Sequence, residues 1–245
     1  MPFAITLSKT SLRLVALGVM AGALATGAAL SMRGSELDPS LRPVMADKPL
    51  ALPDGRRLLV QRHEVTVAQY NTCTAAGACA LSLRVRPGHD AATTPATGLS
   101  YVDAQQYIAW LNTRTGQPYR MPTSAEWNLM AAPVLPEAPD PIFTDPALSW
   151  ASSYLTEGIA PRALKPQGSF STSPEGIADL DGSVWEWTSD CYADDISADR
   201  CPAFFLGGEH VAAMSYLIRD PARGGCAVGT PPAHLGLRLV LDVGV

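Results

Sequence analysis

A 19-residue uncharged run lies near the N-terminus of the 245-residue chain, and short stretches of regular hydrophobic spacing, broken by Gly and Pro, follow it. Leu58–Val65 (LLVQRHEV) is strand-like and leads into Thr66. Thr66–Ala76 can form a short helix, with Val67, Tyr70 and Asn71 on adjacent turns. The strongest helical signal is Ser100–Leu111 (SYVDAQQYIAWL), in which Ala104, Tyr107, Ile108 and Leu111 make an apolar stripe. Ser100 can cap that helix while Asp103 reaches back, as in a capping box. A second capping box, Thr123-Ser124-Ala125-Glu126, follows Pro122 and predicts a helix through Trp127–Ala132. Pro133–Pro174 holds many prolines and no sustained period, so it reads as long surface loop. Leu235–Val240 (LGLRLV) alternates and suits a last strand tied into the core. With no internal repeat, helices and short strands in a loop-rich frame predict a single α+β domain.

The uncharged run, Leu14–Met32, follows the basic residues Lys9 and Arg13. A basic start followed by an apolar run is the pattern of a secretory signal. Ala23-Leu24-Ala25 supplies a small-x-small cleavage site, while the run is also long enough for a single N-terminal membrane anchor. Residues 1–32 are therefore read as a signal peptide or signal anchor. Residues 33–52, with prolines and mixed charge, are read as a linker, and 53–245 as the folded domain. The expected location is periplasmic or secreted, with anchoring to the inner membrane as the alternative.

Composition narrows the function classes. With 47% apolar residues the chain is too hydrophobic for a disordered protein, and 20 Gly with 21 Pro are too many breakers for a helical bundle. The net charge is −5, from 18 basic and 23 acidic residues, and there are no basic runs, which argues against nucleic acid as a partner. Export makes the cysteines informative. Cys73/Cys79 and Cys191/Cys201 are close enough in sequence for local disulfides, although spacing alone does not fix the connectivity. Cys226, in Arg223-Gly224-Gly225-Cys226, is then the odd thiol: buried and inert, intermolecular, or reactive.

Four separated segments, taken in order, resemble the formylglycine-generating enzyme (sulfatase-modifying factor) family. They are Glu64-Val65-Thr66 with Tyr70; Pro95–Tyr101 continuing through Asp103-Ala104 to Trp110-Leu111; Arg120–Trp127; and Gly182-Ser183-Val184-Trp185-Glu186-Trp187-Thr188-Ser189-Asp190. Arg223-Gly224-Gly225 and Gly236-Leu237-Arg238-Leu239-Val240 resemble the family's closing signature. The resemblance implies a loop-rich fold of the C-type lectin-like superfamily. It also implies a structural calcium site whose ligand positions fall on Asp179, Gly182, Val184 and Glu186. Carboxylate and carbonyl oxygens suit that hard ion. The alternative is that Asp179 and Asp181 simply form a polar turn capped by Glu186.

The departures bear on activity. In the family, two active-site cysteines after the Gly-Gly signature hold reduced copper, a soft ion suited to thiolates. Here Cys226 stands where the family has a serine just after Gly-Gly, and no cysteine follows it. The stretch from Gly225 to Gly236 is also shorter than in the enzymes. Copper and standard formylglycine synthesis are therefore not expected. What remains is an exported accessory protein that binds or helps mature a partner protein. The alternative is a metal- or thiol-dependent oxidoreductase with Cys226 as its candidate catalytic residue, with His210 or His234 as conceivable companions.

Overall fold

The structure is a computed structural model that describes residues 37–135, 163–193, 198–229 and 234–244, with 142–143, 148, 151, 155 and 196. The leader, 1–32, and most of Pro133–Pro174 lie outside the described residues.

Three helices follow the local signals. Helix α1 (Val67–Ala75) starts at Thr66, whose hydroxyl accepts from the Gln69 amide while the Gln69 side chain returns to the Thr66 amide. Helix α2 (Tyr101–Thr115) has the expected Ser100/Asp103 capping box and runs a turn beyond Leu111. It stops at Gly116, whose φ of +66° is the left-handed conformation that glycine adopts without a Cβ clash. Helix α3 (Ser124–Ala131) begins directly after its cap, Thr123, with the Thr123/Glu126 capping box in place.

Among the described residues, eight short strands build two sheets. β1 (Leu50–Ala51), β2 (Arg57–Val60) and β8 (Val240–Val243) form one in the order β1-β2-β8. β3 (Val184–Cys191), β4 (Ala203–Gly207), β5 (Ala212–Ser215), β6 (Cys226–Val228) and β7 (His234–Gly236) form the other in the order β6-β5-β4-β3-β7. All pairs are antiparallel except β3 with β7. The larger core holds α1 and α2 side chains (Tyr70, Tyr107, Leu111) against Trp185, Trp187 and Phe204 of that second sheet. A smaller core joins Leu58 and Val60 of β2 to Trp127 and Met130 of α3.

Two expectations change. The folded unit starts at Asp38, not residue 53. Residues assigned to a linker supply β1 and bury Ala46, Leu50 and Leu52 in the smaller core, and the Asp38 amide donates to the Arg114 carbonyl. Three buried side chains without a regular period gave no helical or strand pattern to read. Leu235–Val240, expected as one strand, is divided between β7 and β8, because the chain crosses from one sheet to the other at Leu237–Leu239. The Leu237 and Leu239 carbonyls accept from the Val65 and Gln61 amides along that crossing.

The two local disulfides are present, Cys73–Cys79 and Cys191–Cys201. By loop-closure entropy, each contributes about 2–3 kcal/mol. Both suit an oxidising, exported compartment. Among the described residues, no helix is long and apolar enough to cross a membrane.

Candidate functional site

The crossing between the sheets brings Arg238 into the interior, where it is fully buried. Its Nε donates to both Glu186 oxygens at 2.9 and 3.1 Å, and the remaining guanidinium nitrogens reach the carbonyls of Gln61, Arg62 and Ala178 at 2.7–3.0 Å. A second nitrogen lies 2.8 Å from Glu186 Oε1 and 3.8 Å from Glu64 Oε1. Glu186 Oε2 also accepts from Trp127 Nε1 at 2.8 Å, and Trp187 Nε1 donates to the Leu99 carbonyl at 2.8 Å. The separated sequence motifs therefore meet: Glu64, Leu99, Trp127, Glu186 and Arg238 each come from a different one. Two glycines make room for the tryptophans. A Cβ on Gly207 would stand 2.3 Å from the Trp127 ring, and one on Gly208 2.2 Å from Trp185.

Against this hub lies a narrow void that admits no water-sized sphere, lined in part by Glu64, Asp179, Ser183 and Val184. Glu64 Oε2 and Ser183 Oγ are buried there without a hydrogen-bond partner. Burial pushes the Glu64 carboxyl up to about 8, against the pull of Arg238. Asp179, at φ +67°, accepts the amides of Gly168 and Phe170 on its two oxygens at 2.6 and 2.9 Å. Gly182 must be glycine, since a Cβ would approach the Asp179 carbonyl to 2.7 Å.

The four residues nominated for calcium thus separate. Asp179 and Val184 line the void and Gly182 closes the turn beside it, whereas Glu186 is taken up by Arg238 and Trp127. Among the described residues, no three His, Cys, Asp or Glu side chains gather as a metal site. A cation in the void would rely on main-chain oxygens with Asp179, Glu64 and Ser183. That all-oxygen donor set, with two orphaned atoms, fits a hard ion such as calcium and not a soft one.

Cys226 opens β6 opposite Met214 of β5 and is half-buried, the free thiol of the five cysteines. Gly225 before it has φ +92°, and a Cβ there would strike Ile218 at 2.3 Å. His210 packs edge-on against Trp185, ring centroids 4.6 Å apart. His234 lies on β7 and Cys226 on β6, the two edge strands of one sheet, so they share no strand pair.

A cleft of about 390 Å³ opens between the Leu83–Arg86 segment, the Thr94–Gly98 loop and residues Arg219, Asp220 and His234. Arg219 spans its wall to α2, donating to both Asp103 oxygens at 2.6 and 2.7 Å. Burial raises the Asp103 carboxyl, but the Arg219 and Ser100 hydrogen bonds outweigh it and hold the group below its usual range.

Residues 17–243 match the family described as the sulfatase-modifying factor enzyme 1-like domain. The chain belongs to that family. It is 26% identical over 182 residues to the formylglycine-generating enzyme of Mycobacterium tuberculosis, covering 62% of this chain and 59% of that protein. It is 26% identical over 187 residues to the enzyme of Thermomonospora curvata, covering 66% and 58%. The chain thus spans less than three-fifths of each enzyme's length. PvdO from Pseudomonas aeruginosa shares the fold, with a TM-score of 0.51 at 19% identity over 82% of this chain and 92% of that one.

Glu64 and Arg238 both lie within the sequence motifs, but the motifs alone assign them no role. The signal was present in Gly236–Leu241, where one arginine interrupts an apolar run: a charge there must be paired if it is buried.

Proposed function

We propose that this sulfatase-modifying-factor-like domain is an exported accessory protein that binds, or helps mature, a partner protein, and that it does not carry out formylglycine synthesis. The thiol inventory carries this reading: disulfides consume four of the five cysteines, and Cys226 is left as one thiol where the copper chemistry calls for two. The open cleft beside the Thr94–Gly98 loop is the surface offered to the partner. A photo-crosslinking residue in place of Thr97, at the cleft, should give a discrete protein adduct in the native host. The same residue in place of exposed Arg57, on β2, should give none. Absence of any adduct from the cleft overturns the reading, as does conversion of a sulfatase cysteine peptide to its aldehyde under oxygen and copper.

A structural calcium ion belongs to this proposal, held by Asp179 with main-chain oxygens at Gly182 and Val184 and supported by Glu64 and Ser183. It would neutralise the carboxylates around Arg238. Calcium should raise the melting temperature and a chelator lower it; indifference to both refutes the ion. The second reading is a thiol-dependent oxidoreductase, favoured only by the free, half-buried Cys226. A Cys226→Ser variant that keeps full function removes it.

A further inference from the structure

Two arginines set positive charge in the wall of the cleft. Arg84 and Arg86 line it and are exposed, and neither has an ion pair or side-chain hydrogen bond among the described residues. Asp220, the acidic residue in its lining, is already engaged: its carboxylate accepts from the Ala222 amide and lies 3.6 Å from Arg223. Arg219 is spent on Asp103. Two arginines thus remain unbalanced in a concave site on a chain of net charge −5.

The backbone leading into these arginines is held in place. The Asn71 side-chain amide of α1 clamps Leu83 on both backbone groups at 2.9 Å, and Thr74 donates to the Leu81 carbonyl. From α2, Gln106 accepts the Ala80 amide at 3.2 Å. Exposure alternates from Leu81 to Arg86, as in an extended segment, so Arg84 and Arg86 present to the same side. Their spacing is about 6.6 Å along such a backbone, the repeat of alternate side chains in another extended chain. Val67, Leu83 and Val85 supply apolar lining of the same cleft.

We propose that this cleft binds an extended acidic peptide segment, with carboxylates at alternate positions meeting Arg84 and Arg86. The inference rests on the reading above that a partner protein docks here, and it specifies the chemistry of the docking segment. Paired guanidinium–carboxylate contacts in a concave site supply both orientation and faster association.

Fluorescence anisotropy tests it with three probes: a labelled peptide with Glu at alternate positions, its Gln counterpart, and inorganic phosphate as an unlabelled competitor. The acidic peptide should bind with an affinity that falls as salt rises, while the Gln peptide should not bind. Charge reversal at both positions, Arg84→Glu with Arg86→Glu, should weaken binding by roughly tenfold or more. The exposed control Arg57→Glu should leave binding unchanged. Both cleft arginines are exposed, so the melting temperature should report an intact fold. Equal binding of the Glu and Gln peptides overturns the inference, as does indifference to the charge reversal. Full competition by millimolar phosphate assigns the site to a small anion and overturns it too. A crosslink from position 97 without acidic-peptide binding would sink this inference alone and leave the accessory reading standing.

Discussion

Replacing Glu64 with Gln should flatten the dependence of stability on pH between about 5 and 8. Burial raises this carboxyl to about 8 in the folded chain, against an ordinary value of 4.5. The folded state therefore keeps a proton that the unfolded chain has released, and the stabilisation is complete below about 4.5 and lost as pH rises towards 8. Each pH unit in that window is worth about 1.4 kcal/mol, so about 3 kcal/mol has gone by pH 7. For a domain of this size that is roughly 3–5 °C of melting temperature per unit. His63 opposes it: burial lowers its pKa, so it gains stability as pH rises through the ordinary histidine range. Asp103 and Glu126, held low by their arginine partners despite burial, keep their contribution constant above the usual carboxylate range and lose it only on acidification. The difference between wild type and Glu64→Gln isolates the single group. Thermal melts at half-unit steps, at fixed ionic strength with chelator present, measure it. Parallel curves for the two proteins would refute the assignment of the buried proton to Glu64.

Other perturbations read different parts of the structure. Glu186→Gln leaves the fully buried Arg238 without its nearest carboxylate and should cost about 3–5 kcal/mol in denaturant unfolding; a loss under about 1 kcal/mol would contradict the hub. Gly207→Ala forces a methyl into the Trp127 ring and should cost about 1–3 kcal/mol, with a changed tryptophan emission; an unchanged spectrum and stability would show the strand end to be slack. In denaturant without reductant the chain should titrate one thiol, rising to five after reduction, and Cys226→Ser should remove the first; any other initial count contradicts the pairing.

Local chemistry was legible and long-range chemistry was not. The Ser100 and Thr123 caps each act over three residues, so the sequence itself contains both partners of the bond. The matching cap at Thr66 uses Gln69 and is equally local. Arg238 is the opposite case. Its partners are 52 residues away at Glu186 and 177 at Gln61, and alternation in LGLRLV pointed to one continuous strand. Alternation records which side a residue faces, not which sheet it joins, so a mid-strand change of sheet leaves no trace in it. The calcium nomination shows the same limit. Asp179 and Val184 line one void, while Glu186 turns to a guanidinium from 52 residues further along the chain. Arg84 and Arg86 leave no signal in the sequence, because two separated arginines make no basic run; only the fold sets them in a concave wall.

The hub and the β2–β8 pairing also set an order of events. Leu235, Leu237 and Leu239 fill the larger core and Val240 the smaller one, while Arg238 holds Gln61, Ala178 and Glu186 together. No N-terminal stretch that ends before these residues contains either core complete. During synthesis from the N-terminus, helix capping and the short disulfide loops can form early, but the cooperative structure must wait for β7, Arg238 and β8. The domain therefore stays open until all three are free, and their arrival completes both cores together.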